Sequence, residues 1–265
     1  MNCHHFVLVH GGGHGAWCWY KVVTLLRSGG HTATALDLAS CGRDPRRVEE
    51  IPAIEDYVEP LFQFMEGLPA GEKVVLVGHS RGGIDISMAT ERFPEKVAVA
   101  VFVTASMPSP SLDVSTITKK FREQFGPPMD NEFTSGQGID GRPLSIARPG
   151  PEFMASMMYN LSPPEDLTLA RLLVRPAPHY EEILSPSTKT ALTDENYGRV
   201  RRAYIVCPED KVMKEEIQRW LIEENPPDEV RVIDGSDHMV MMSKPEELSS
   251  FLMEIAAKYC HNLNV

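Results

Sequence analysis

The sequence predicts an α/β fold: a mostly parallel sheet with helices on both faces, interrupted by an inserted segment. Three observations predict it. Over the first hundred residues, short β-branched runs alternate with segments of helical period, the pattern of strands joined by covering helices. The runs Val74–Val77 and Val97–Val103 are almost continuously apolar, as strands buried on both sides are. The alternation lapses after residue 106 and resumes at Arg202, so one domain is split by an insertion at about 107–190.

The elements follow in order. Phe6–Val9, Thr32–Leu38, Val74–Val77 and Val97–Val103 read as strands. Between them, Trp19, Val22, Val23, Leu25 and Leu26 mark one helix, and Ile54, Tyr57, Val58, Leu61, Phe62 and Met65 a second. A third spans roughly 81–92 and stops before Pro94. Residues 107–151 are rich in Pro, Ser and Gly, and Glu152–Asn160 and Pro164–Leu173 then look helical in pieces. Arg202–Cys207 and Glu229–Asp234 restore the strand pattern, with helices at 214–224 and near 245–258. An insertion after the fourth strand naturally covers the carboxyl edge of the sheet, where open α/β folds bind ligands.

Bulk properties exclude several function classes. The 265-residue chain is 42% apolar and 24% charged, enough for a sizeable core and unlike a disordered chain. Its formal charge of −11 repels phosphate backbones and anionic lipid, which argues against nucleic-acid and membrane partners. The five cysteines (Cys3, Cys18, Cys41, Cys207 and Cys260) are dispersed and odd in number, as free thiols in a reducing compartment are. Phe6–Val9 is too short for a signal peptide, and no later apolar run is long enough to span a membrane. A soluble, cytoplasmic protein is expected.

Gly78-His79-Ser80-Arg81-Gly82 matches G-x-S-x-G between a strand and a helix, the setting of a nucleophile elbow. The turn is so tight that its neighbours must be small, and Gly78, Gly82 and Gly83 meet that need. A serine hydroxyl needs a base, and the base an acid, in the chain order Ser, Asp or Glu, His. Asp210 lies three residues beyond Cys207, and His238 four beyond Asp234, each just past a strand. Glu209 is the alternative acid; Asp234 and Asp237 come from the histidine's own strand end and are less suited to its far nitrogen. The oxyanion hole is expected from the backbone N–H groups of Arg81 and of Gly12, in the loop after the first strand.

That loop has rival readings. Gly11–Ala16 fits G-x-G-x-x-G/A, with Asp37 placed as a ribose-binding acid, so an NAD-dependent reductase is a second hypothesis. It leaves Ser80, Asp210 and His238 unexplained, and no Tyr-x-x-x-Lys pair occurs. His10 and His14 have the i, i+4 spacing of a zinc pair, but three glycines between them oppose the helix such a pair needs. They are expected to be loop histidines bonding to the backbone.

Several stretches, FVLVHGGGHGAWCWYK, HTATALDLASCG, GEKVVLVGHSRGG, PEDLTLARLLVRP, YGRVRRAYIVCPEDK and GSDHMVMMSKP, together resemble the plant methylesterase branch of the α/β-hydrolases. That branch includes methyl salicylate esterases, polyneuridine aldehyde esterase and hydroxynitrile lyases. The resemblance covers nearly the whole chain and implies an α/β-hydrolase core of 1–106 and 191–265 under a mainly helical cap of 107–190. It also implies a Ser80, Asp210, His238 triad, no cofactor and often a homodimer. The expected activity is serine carboxylesterase action on a small, methyl ester of a plant hormone or specialised metabolite.

The alternative on the same scaffold is hydroxynitrile lyase chemistry. Those lyases carry a threonine at the place of Gly11 and a lysine at the place of Met239, and neither residue here does that work. A third class, a non-catalytic ligand receptor, usually shows a broken triad. Gly11, Arg81, Phe133, Met154, Tyr159, Tyr180 and Met239 are the expected substrate-binding residues, with Met157, Met158 and His179 near them. The Arg81 side chain has two expected destinations: Asp85 one turn along, or the cleft, where it favours substrates with a second carboxylate or carbonyl.

Overall fold

A computed structural model describes residues 3–124, 129–180 and 191–260. In the first half of the core, β1 (His5–Val9), α1 (Tyr20–Ser28), β2 (Thr32–Leu36), α2 (Ile54–Gly67), β3 (Val74–Ser80), α3 (Gly82–Arg92) and β4 (Val97–Ala105) alternate without interruption. There follow α4 (Val114–Gln124), β5 (Glu132–Gln137), β6 (Pro143–Arg148), α5 (Pro151–Phe153, running on as a π-turn to Met158), α6 (Pro164–Leu173) and β7 (Ala177–His179). The core then resumes with β8 (Arg202–Val206), α7 (Glu215–Glu224), β9 (Glu229–Val232), α8 (Val240–Ser243) and α9 (Pro245–Tyr259).

Six strands form one parallel sheet in the order β2-β1-β3-β4-β8-β9. The alternation of side chains explains why two helical layers are needed. Phe6 and Leu8 of β1 join Val75, Val77, Val99, Val101 and Val103 on one face, under Trp19, Leu26, Leu252 and Ile255 from the α1 and α9 side. Val7 and Val9 join Leu76, Ala100 and Phe102 on the other, under Tyr57, Leu61, Met65 and Ile86 from α2 and α3. Each fully buried side chain of this size contributes about 1.5–3 kcal/mol, so neither face tolerates water.

The chain runs outward from β1 to β2 and then returns across β1 to place β3 on its other side. This reversal opens a crevice at the carboxyl ends of β1 and β3, where such folds hold ligands. The glycine loop after β1 and Ser80 at the end of β3 therefore become neighbours.

The segment between β4 and β8 differs in two elements from the expected, mainly helical cap. Besides its helices it contains an antiparallel sheet, β5-β6-β7. Every residue of β5 is exposed, so no apolar alternation marks it, and pairing with β6 alone makes it a strand. The helix α4 is the other unexpected element. It buries Ile117 against Met213, Ile217 and Leu221 of the α7 region.

Candidate active site

Ser80 ends β3 with φ 54, a left-handed conformation that costs a serine about 1–3 kcal/mol. Close packing on either side of the turn maintains it. A Cβ on Gly83 would lie 2.1 Å from the Ser106 carbonyl oxygen, and one on Gly78 would lie 2.6 Å from that of Gly82. The elbow can therefore be this tight only with glycine at these places. It aims the serine at the cleft and sets the N-terminal end of α3 beneath it, where the helix dipole favours negative charge.

Three side chains meet in a line. His238 Nδ1 lies 2.7 Å from Asp210 Oδ2, and His238 Nε2 lies 3.0 Å from Ser80 Oγ. A carboxylate only accepts, so Nδ1 carries the hydrogen and Nε2 is free to accept from the serine. Asp210 is held on both oxygens. Oδ1 accepts from the N–H groups of Val212 and Met213, and Oδ2 also accepts from Thr104 Oγ1. Glu209 does not approach the imidazole; it accepts from the Gly235 N–H. Asp237 accepts from Leu161, Ser162 and Met239 and so ties the histidine loop to the inserted segment. His79, beside the nucleophile, donates from Nε2 to the His238 carbonyl at 2.7 Å and fixes the backbone of the base.

The glycine loop is held by its two histidines. His10 donates to the Gly11 carbonyl and accepts from the Leu38 N–H; His14 donates to the Gly12 carbonyl and accepts from the Tyr159 hydroxyl. Burial pushes both imidazoles down to about 4, so they stay neutral. Asp37, the acid of the reductase reading, is occupied in closing this same loop: it accepts from the N–H groups of Ala16 and Arg43. A Cβ on Gly15 would lie 2.7 Å from its carboxylate, so the loop closes on Asp37 only with glycine there. Among the described residues no group of three or more His, Cys, Asp or Glu is placed to hold a metal ion.

A cavity of about 230 Å³ opens over Ser80 and His238. Gly12, Arg81 and Phe133 line it, together with Asn131, Ala147, Arg148, Phe153, Met158, Ala177, Pro178, His179 and Val212. A Cβ at Gly12 would meet nothing within 4 Å, so the loop leaves open space there. A larger hollow of about 860 Å³ behind Asp210, lined by Glu209, Lys211 and Lys214, does not reach Ser80 or His238.

Five expected substrate contacts are not among the residues that line this cavity. Met154 and Tyr159 are buried in the apolar layer on the α1 side, where Tyr159 serves His14. Met239 is fully buried in that same layer. The Tyr180 hydroxyl donates to the carbonyls of Ile51 and Ala53, and its ring faces the Arg81 guanidinium. At Gly11 a Cβ would press on Ser80 Cβ at 3.0 Å and His79 Nδ1 at 3.1 Å, so that position packs on the nucleophile without lining the cavity.

Arg81 lines the cavity, but its guanidinium turns to β7 and not to Asp85. Its Nη1 donates to the Pro178 carbonyl at 2.6 Å, and its guanidinium stands 4.2 Å from the Tyr57 ring centroid and 5.3 Å from that of Tyr180. It makes no ion pair with Asp85, whose buried oxygens have no protein hydrogen-bond partner. Burial pushes the Asp85 carboxyl up to about 7, against the pull of the Arg81 charge. Arg81 thus braces the elbow against β7.

The alpha/beta hydrolase family profile matches residues 6–251. The chain belongs to the α/β-hydrolase family. This α/β-hydrolase is 52% identical to methyl jasmonate esterase 1 of Vitis vinifera over 258 residues, which cover 96% of this chain and 97% of that one. Among solved structures, polyneuridine aldehyde esterase has a TM-score of 0.92 and 42% identity, with 96% of this chain and 100% of that chain covered. Tomato methylketone synthase I, solved with β-ketoheptanoate, has a TM-score of 0.90 and 47% identity, covering 98% and 99%. The α/β-hydrolase scaffold here is therefore shared by relatives named for different chemistries, and the site must discriminate among them.

Proposed function

We propose that this protein is a serine carboxylesterase that hydrolyses small methyl esters of plant hormones or specialised metabolites. The observation that carries the reading is the hydrogen-bonded line from Asp210 through His238 to Ser80 at the floor of the cavity. His238 Nε2 takes the serine proton as Oγ attacks the ester carbonyl, and Asp210 stabilises the imidazolium that forms. The backbone amides of Gly12 and Arg81 receive the oxyanion; one such donor is worth about 10²–10³ in rate. His238 then gives the serine proton to the methoxy oxygen as its bond to the acyl carbon breaks, and methanol leaves. A water molecule, activated by the same imidazole, releases the acid from Ser80.

The lining accounts for a compact acyl group with one polar end. Phe133, Phe153, Met158, Pro178 and Val212 offer apolar surface, while Arg148 lines the same cavity and has no ion pair among the described residues. Lyase chemistry of the hydroxynitrile type finds little support. Gly11 has no hydroxyl to bind a cyanohydrin oxygen, and a buried thioether at Met239 cannot hold cyanide.

Methanol release from a panel of methyl esters (salicylate, jasmonate, indole acetate and an alkaloid ester) tests the reading, with p-nitrophenyl acetate as a general acyl donor. Wild-type protein is expected to hydrolyse p-nitrophenyl acetate and at least one methyl ester, and Ser80→Ala neither. Equal rates for the two proteins would sink the esterase reading.

A further inference from the structure

The ladder between β3 and β4 skips a residue. His79 pairs with Val103 and Ser80 with Ala105, which leaves Thr104 bulged out of register. Thr104 has φ 36, a conformation that a β-branched side chain adopts only under strain. The ladder of β4 with β8 ends at Val103 and Ile205, so Ala105 lies beyond it. A buried hydroxyl from β8 serves it instead: Tyr204 accepts from the Ala105 N–H at 3.1 Å and donates to the Ala105 carbonyl at 2.9 Å. The irregularity is therefore braced from the neighbouring strand, with buried polar groups matched one to one.

The bulge sends a hydroxyl to a definite place. Thr104 Oγ1 donates to Asp210 Oδ2 at 2.6 Å, and the same oxygen receives His238 Nδ1–H at 2.7 Å. Oδ1 takes the N–H groups of Val212 and Met213. The carboxylate thus holds two donors on each oxygen and has one orientation open to it. Without the threonine hydroxyl, Oδ2 would be fixed only by the imidazole that it is supposed to orient.

We propose that Thr104 is a positioning residue for the acid–base pair, held out of the β4 ladder so that its hydroxyl sets Asp210 against His238. The proposal rests on the triad reading above and adds to it a residue that touches no substrate.

Thr104→Val and Thr104→Ser separate positioning from packing. Valine keeps the shape of threonine and loses the hydroxyl, whereas serine keeps the hydroxyl and loses a methyl group. If Thr104 positions Asp210, Ser retains kcat on p-nitrophenyl acetate within about threefold, and Val loses about tenfold in kcat with KM little changed. The far-downfield proton resonance of the His238 Nδ1–H, followed by NMR, is expected to persist in the Ser variant and to shift or vanish in the Val variant. A packing role predicts the opposite order, Val above Ser, with the resonance unmoved; that result overturns the proposal. Thr104→Ala supplies a second hydroxyl-free variant for the same two measurements if valine does not fold. Ser80→Ala, run alongside, distinguishes the failures: an active Ser80→Ala fells the triad reading and this proposal together. An inactive Ser80→Ala with a fully active Thr104→Val fells the proposal alone.

Discussion

At the residue scale, the site consists of groups whose alternatives have been removed. Asp210 matters through its tautomer control. Replacing it by Asn keeps an oxygen for the Val212 and Met213 N–H groups but turns an N–H toward His238 Nδ1. The imidazole must then carry its hydrogen on Nε2, facing Ser80. Asp210→Asn is expected to lower kcat by about 10³–10⁴, the loss known for the same swap in other triads, with stability almost unchanged, as steady-state kinetics and urea unfolding would show. Arg148 is the exposed cation at the cavity, whereas the Arg81 guanidinium has its Nη2 buried and its Nη1 on Pro178, with its plane near Tyr57 and Tyr180. Arg148→Gln is therefore expected to lower the kcat/KM ratio of monomethyl adipate over methyl hexanoate by about twofold to fivefold, as an exposed ion pair would. Arg81→Leu is expected to leave that ratio alone and to cost about 2 kcal/mol of stability through the lost Pro178 hydrogen bond and ring contacts.

At the element scale, the elbow and its two glycine neighbours decide whether the triad assembles. The G-x-S-x-G motif, placed between an apolar strand and a helix, was readable directly, because tight turns demand specific residues at specific offsets. The structure adds what each glycine avoids. At Gly83 the obstacle is the Ser106 backbone, 2.1 Å from any Cβ, and backbone cannot rotate away as a side chain can. Gly83→Ala is expected to cost about 1–3 kcal/mol or more and to displace Ser80, lowering kcat along with the urea midpoint. By contrast β5, with no buried residue, and the bulge at Thr104 left no mark in the sequence. A strand made by pairing alone has no hydrophobic period, and a bulge is a relation between two strands.

At the scale of the whole molecule, burial of neutral histidines links stability to acidity. His10 and His14 are lowered to about 4 by burial, from 6.5 in the unfolded chain. The unfolded chain then binds more protons between these values, so the stability present above 6.5 is lost as pH falls toward 4. Between pH 8 and pH 5 each histidine is expected to remove about 2 kcal/mol, read as a falling urea midpoint. His14→Gln should flatten that fall by about half of their joint share. The same histidines hold the loop that bears Gly12, the proposed oxyanion donor, so acid is expected to loosen that loop before the sheet.

The sequence by itself determined the α/β class, and it singled out Ser80, Asp210 and His238, which the structure joins in one hydrogen-bonded line. These depend on local regularities: strand and helix periods, a turn that only small residues permit, and functional groups placed just past strand ends. Only the tertiary structure decided which of the apolar residues in the inserted segment face the cavity. Phe133 and Met158 line it while Met154 and Tyr159 are buried behind it, although all four look alike in the sequence. It also decided that Arg81 braces β7 at Pro178, and that Thr104 meets Asp210, 106 residues away in the chain. The physical reason is common to these cases. Periodicity reports that a side chain is buried, but its partner is set by how distant segments pack, and that information has no local period.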